Sequence, residues 1–162
     1  MRLYEHEAKD LLSQYGLDIP SQNIGGGEER IVKAQIMANN RKDIGAVRFA
    51  DNLEEAGDIK QDMLDSSFEG AEPDEVLVEE KIDFTEEYYV SFMYDTDSRT
   101  PSMVFSREGG SGIEDRNAEK FPIEENSQFR FRQMLKQQGI EGGGLVRLGS
   151  VLQSLFEVFL EE

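Results

Sequence analysis

The sequence predicts an α+β fold, and three observations carry that prediction. Four stretches bear helix signals, five short runs are rich in β-branched and aromatic residues, and the later runs are joined by connections short enough to favour antiparallel pairing. At 162 residues with 38% apolar composition, the chain suffices for one compact domain or two small lobes.

Tyr4, Ala8, Leu11, Leu12 and Tyr15 share one face of a helix that Gly16 ends. Leu17 to Gly27 reads as a connection, since the glycines at 25 to 27 hold regular structure poorly. The run opening at Ile31-Val32-Lys33 reads as a strand and Gly45 to Phe49 as its return, leaving Asn39 to Ile44 as a hairpin tip. Asn52-Leu53-Glu54-Glu55 has the form of a capping box, and Leu53, Ala56, Ile59 and Met63 continue at helical spacing to about Asp65. Residues 66 to 74 form a loop around Gly70 and Pro73.

Glu75 to Ile82, Glu87 to Tyr94 and Ser102 to Phe105 are strands, predicted to make an antiparallel meander with a polar turn at Asp95 to Ser98. A polar helix follows from Ser127 to about Gln138. Gly139 and the triple glycine at 142 to 144 break it from a second helix striped by Leu145, Leu148, Leu152, Leu155, Phe156 and Phe159. That stripe must pack on something, and any part left uncovered would drive self-association.

Composition removes several classes of function. Zero cysteines exclude disulfides and thiolate metal sites, and a single histidine argues against zinc. The net charge of -17 opposes binding to nucleic acid, and no basic patch is visible to overcome it. Such acidity serves solubility or adaptation to high salt, and both readings stay open. No apolar run approaches the ~18 residues of a membrane span, and no secretory signal is seen, so a cytoplasmic protein is expected. Neither a Walker motif nor a GxGxxG turn in a βαβ unit is present.

Lys33 is the residue that most needs an explanation. An ammonium on a buried-type strand is costly to desolvate without a partner, and phosphate is a natural one. Read together, Leu3 to Lys9 with Tyr15-Gly16-Leu17 and Pro20, the Lys33-Ala34-Gln35 strand leading to Arg41, Val76 to Glu80 with Glu87-Tyr88-Tyr89, and Ser106 to Gly110 resemble the β subunit of succinate–CoA ligase and its acyl-CoA ligase relatives. The resemblance covers most of the chain. It implies an ATP-grasp fold, incomplete here, with two interleaved small lobes built of antiparallel sheet and flanking helices: one of residues about 23 to 83, the other of 1 to 22 with 84 to 162.

The resemblance also implies a site. Lys33 would take nucleotide phosphates, the loop of Asn40, Arg41 and Lys42 would cover them, Glu79 and Ile82 would lie at the adenine side, and Glu87 would meet the ribose hydroxyls. The nucleotide would be ATP or GTP, with Mg2+ held by ligands expected beyond Glu162, and the family's C-terminal CoA-ligase domain is expected to be absent. No catalytic or metal residue is assigned within this chain, and His6 is read as structural. The chain departs from the family where Asn39-Asn40-Arg41-Lys42-Asp43 stands in place of Gly-Gly-Arg-Gly-Lys, losing close-approach glycines and gaining an acid. Two functions are therefore carried forward: a nucleotide-binding subunit of an acid–CoA ligase of the tricarboxylic acid cycle type, acting with an α-type subunit or complementing polypeptide, and a degenerate or truncated ATP-grasp protein with a binding or assembly role and no catalysis.

Overall fold

The computed structural model describes residues 3–20, 29–37, 41–109 and 118–161. The expectations for the glycines at 25 to 27, for Asn39 and Asn40, and for Gly110 lie outside the described residues. The chain divides into two compact units, Met1–Gln14 with Asp18–Asp83, and Tyr15–Leu17 with Phe84–Glu162. The first helix thus belongs with the first unit rather than with residues 84–162, because its polar side chains bond to that unit's sheet.

The first unit contains α1 (Glu5–Gln14), β1 (Arg30–Ala34), β2 (Val47–Ala50), α2 (Leu53–Leu64) and β3 (Val76–Glu80). The strands form an antiparallel sheet in the order β2-β1-β3. Val32 lies opposite Val78 and Ala34 opposite Val76, and this face meets Ala56 and Met63 of α2 in a core completed by Phe68 and Ala50. Strand alternation sends Lys33 and Glu79 to the other face. The capping box at α2 is shifted by one residue: Asn52 accepts the Glu55 N–H at 3.0 Å, while the Glu55 carboxylate reaches back to the Asp51 N–H at 2.8 Å. The meander predicted to include Glu75 to Ile82 is corrected here, since β3 pairs with β1, which has bonding groups on both edges to satisfy.

The second unit contains β4 (Tyr89–Asp95), β5 (Thr100–Ser106), β6 (Glu119–Pro122), α3 (Gln128–Gln137) and α4 (Gly142–Glu161). Its meander runs β4-β5-β6. β6 was missed by sequence reading because three of its four residues are exposed and only Phe121 turns inward. Ser127 caps α3 by accepting the Arg130 N–H, and Gly139, at φ +73°, turns the chain so that the Ile140 N–H returns to the Leu135 carbonyl. The triple glycine is a correction: it forms the first turn of α4 rather than a break before it.

Leu145, Leu152 and Phe156 of the predicted stripe are buried with Met103, Phe105, Phe131 and Leu135, and Leu148, Leu155 and Phe159 pack at the edge of the same core. α4 is nevertheless long and apolar enough to cross a membrane, with mean hydropathy 1.3. Sequence reading passed over it because Arg147 and Glu157 interrupt the apolar run. Part of its stripe is used within this core, while only 17% of its apolar window is buried.

Phe131 is fully buried and meets Phe92 and Phe156 edge-on or nearly so, whereas Phe129 is 70% exposed on the same helix. Phe131→Ala is expected to cost about 3 to 5 kcal/mol and Phe129→Ala less than about 0.5 kcal/mol, read by chemical denaturation. Equal losses would mean that α3 packs by its other face.

Candidate functional site

The site is built on the polar face of the first sheet. Lys33 leaves the middle of β1 on that face, and Glu79, two places along from its direct partner Leu77, stands diagonally across from it. α1 supplies the rest: Glu5 in its first turn and Lys9 one turn later lie on one side of the helix. Gln35 fixes the start of that helix, because its buried side chain accepts the Glu5 N–H at 3.0 Å. Lys33 and Gln35 are two residues apart and share a strand face, so the Lys-Ala-Gln sequence serves charge and docking together.

Five charged groups close into a network. Lys33 Nζ donates to Glu5 Oε1 at 2.7 Å and to Glu79 Oε2 at 2.9 Å. Lys9 Nζ donates to Glu5 Oε1 at 2.9 Å and also to Glu79 Oε1. Arg41, which opens the turn closed by the Ala46 N–H on its own carbonyl, donates from Nη2 to Glu5 Oε2 at 2.8 Å. Side-chain exposure rises outward, from 0% at Glu79 through 18% at Lys33 and 19% at Glu5 to 30% at Arg41. Three cations face two carboxylates, so the cluster is locally positive in a strongly acidic chain.

Burial by itself would raise the Glu5 carboxyl, but the hydrogen bonds from Lys33 and Lys9 outweigh it and hold the group at about 2. Burial likewise pulls the Lys33 ammonium down, and the Glu5 and Glu79 carboxylates more than reverse that, leaving it above its ordinary value. Neighbouring polar contacts hold α1 in place: the Tyr4 hydroxyl donates to Asp74 at 2.6 Å, and His6, stacked on Tyr4, lies 3.4 Å from Glu75.

The predicted site residues divide into three groups. Lys33, Arg41 and Glu79 come together, and both Glu79 oxygens are occupied by lysines instead of facing open space. Lys42 is exposed in the turn, where its carbonyl accepts the Gly45 N–H, and Asn40 lies outside the described residues. Ile82 is 49% exposed and lines a hollow of about 660 Å³ with Glu29, Glu80, Lys81 and Asp83. Glu87 stands in the second unit, exposed, with its carbonyl accepting the Gly109 N–H at 3.0 Å. A Cβ on Gly109 would fall 2.3 Å from Glu87 Cγ, which explains the glycine in the Glu108-Gly109 turn.

Sequence reasoning assigned no role in the site to Glu5 or Lys9. Their four-residue spacing on the first helix was the available signal. Among the described residues, no group of three metal-ligating side chains could hold a metal ion. The two carboxylates of the cluster are committed to cations, so these five residues do not form a Mg2+ site.

Residues 2–162 match the family model of the ATP-grasp domain. The chain belongs to the ATP-grasp family. It is 29% identical over 180 residues to the β subunit of the ADP-forming succinate–CoA ligase of Methanocaldococcus jannaschii, covering 99% of this chain and 50% of that protein. To the β subunit of the GDP-forming enzyme of Thermus thermophilus it is 31% identical, covering 98% of this chain and 47% of that one. This ATP-grasp chain thus spans about half the length of the relatives it matches. Among solved structures, the dinucleotide-forming acetyl-coenzyme A synthetase 1 of Ca. Korarchaeum cryptofilum superposes with a TM-score of 0.75 at 19% identity, covering 99% of this chain and 81% of that chain. The ATP citrate lyase of Methanothrix soehngenii gives 0.70 at 18% identity, covering 98% and 44%. The mixed α+β architecture with its two antiparallel sheets agrees with the predicted fold class.

Because Glu5 ionises more readily in the folded chain than at its ordinary 4.5, the unfolded chain takes up the proton first as the pH falls. The stability that Glu5 contributes is therefore complete above about pH 5 and is lost as the pH falls toward about 2. Denaturation of the ATP-grasp chain and of Glu5→Gln across this range is expected to show a stability difference that shrinks on acidification. A difference that stays constant would remove the lysines as the cause.

Proposed function

We propose that this chain is the nucleotide-binding, β-type subunit of an acid–CoA ligase of the succinate–CoA ligase kind, which joins an acid to CoA with conversion of NTP to NDP and phosphate. The observation that carries this reading is the excess of cations around Lys33 and Arg41 at the start of a turn, set within an ATP-grasp domain. Fixed cations neutralise the charge on transferring phosphoryl groups, and an Arg fork and a Lys point charge suit that work. The hollow beside Ile82 lies within the roughly 300 to 1,000 Å³ typical of ligand pockets, and its carboxylates suit the sugar and base end better than the phosphates.

In this reading the nucleotide is ATP or GTP, and Mg2+ would withdraw charge from its phosphates. Lys33, Arg41 and Lys42, with Asn40, bind and orient the phosphate chain, and Glu79 holds Lys33 in place. The partner in this reading is an α-type subunit or a complementing polypeptide. The reaction places the complex with cytoplasmic enzymes of the tricarboxylic acid cycle type.

A second reading is favoured by a specific observation. Asn39-Asn40 and Asp43 stand where the family resemblance calls for glycines and a lysine, which suits a binding or assembly role without catalysis.

Calorimetry with Mg-ADP, with and without a cognate α subunit, separates the two. Lys33→Ala is expected to weaken ADP binding by roughly ten- to a hundred-fold, since a buried charge-assisted contact is worth about 1.5 to 3 kcal/mol. Unchanged affinity in a folded variant would remove the site. Asp43→Lys, at an exposed position of the turn, is expected to tighten ADP by roughly two- to five-fold, the range of a solvent-exposed ion pair. No gain there would favour the assembly role.

A further inference from the structure

The two carboxylates of the cluster are not equivalent. Glu79 has no exposed surface and bridges two lysines from within the sheet. Glu5 sits further out on the first turn of α1, and three cations converge on its two oxygens: Lys33 at 2.7 Å, Arg41 at 2.8 Å and Lys9 at 2.9 Å. Two lysines and an arginine around one pair of oxygens is the donor set that would serve a phosphate group. Glu5 also borders a cavity of about 240 Å³ together with Arg41, Ala8, Ile36 and Met37. Pockets for whole drug-sized ligands begin at about 300 Å³, so this one suits a phosphate chain rather than a complete nucleotide.

We propose that Glu5 is a built-in anion which holds Lys33 and Arg41 in their working positions and is displaced by the incoming polyphosphate. This rests on the nucleotide-binding reading above and adds to it a means of selection. The backbone of Glu5 need not move, because Gln35 retains its N–H at 3.0 Å while the side chain rotates outward. Once it leaves, three cations face Glu79 alone, and the surplus of two positive charges matches a doubly charged phosphate better than a single carboxylate. Glu79 stays, since its departure would strand two lysines on a buried face. The site therefore admits only anions able to outcompete a carboxylate already in place, which favours polyphosphates over singly charged ions.

The test is calorimetry of the whole chain and of Glu5→Gln with three probes: inorganic triphosphate, ADP and adenosine. Glu5→Gln keeps the shape and removes the charge. It is expected to bind triphosphate and ADP roughly ten-fold more tightly, because the ligand no longer breaks a charge-assisted contact, with adenosine unchanged. The same variant is less stable, so a merely structural role predicts weaker or unaltered binding. Weaker or equal triphosphate binding, or an equal gain for adenosine, would overturn the proposal. ADP bound equally by both proteins sinks the displaced anion and leaves the nucleotide reading standing. A triphosphate gain without any ADP binding does the reverse, and no binding of either probe removes both. If Glu5→Gln does not fold, the unaltered chain decides: the Glu5 side-chain carboxyl carbon resonance should move toward its solvent position as triphosphate is added, and a resonance that stays fixed at saturation overturns the proposal.

Discussion

The first unit depends on charges buried between α1 and the sheet. Lys9 is the one buried residue of α1, so this helix docks through an ammonium where most surface helices use an apolar stripe. Taking ions out of water costs several kcal/mol each, and a well-packed apolar replacement is often as stable or more so. The Lys9, Glu79, Lys33 and Glu5 network is therefore poorly explained by stability alone. It makes sense if the cations are wanted for something else and the carboxylates keep them in place meanwhile.

That arrangement ties helix docking to ligand chemistry. Gln35, Tyr4 and His6 attach α1 by contacts that do not involve the Lys33 ammonium. Anions competing for Lys33 and Arg41 can thus alter the Glu5 pairing without removing every attachment of the helix. The second unit is organised differently, with Phe92, Phe131, Phe156 and Phe159 in one aromatic cluster and its ion pairs mostly at exposed positions. Such a core resists rearrangement, because close-packed side chains lose contacts on any shift.

Much of this was legible where the signal is local. Asn52 and Ser127 cap the helices expected of them, Gly16 ends α1, and the stripe from Leu145 to Phe159 faces a core. What failed depends on distant partners. Val76 to Glu80 reads as a strand from its own residues, yet nothing within it says that it joins β1 over forty residues earlier instead of β4 just after it. Glu119 to Pro122 carries too few apolar residues to show any alternation, and becomes a strand because β5 offers it an edge. In the site, Lys33 was conspicuous as a charge on a strand, whereas Lys9 looked like an ordinary helix lysine. Its partner Glu79 lies seventy residues away, and only the fold brings them within contact.

The overall charge of -17 sets the terms on which this small positive site can work. Exposed carboxylates repel an approaching polyphosphate through solvent, where the interaction is screened within about 8 to 10 Å at physiological salt. The contacts inside the cluster are shorter than 3 Å and largely shielded from water, so salt weakens them much less. Long-range repulsion therefore acts mainly on the rate of encounter, and the short-range donors decide what remains bound. An acidic surface and an anion-binding centre are compatible in one chain on this basis, provided the cations are fixed in advance. The carboxylates fix them, which is why a fully buried glutamate beneath a lysine is also what keeps the positive site in order.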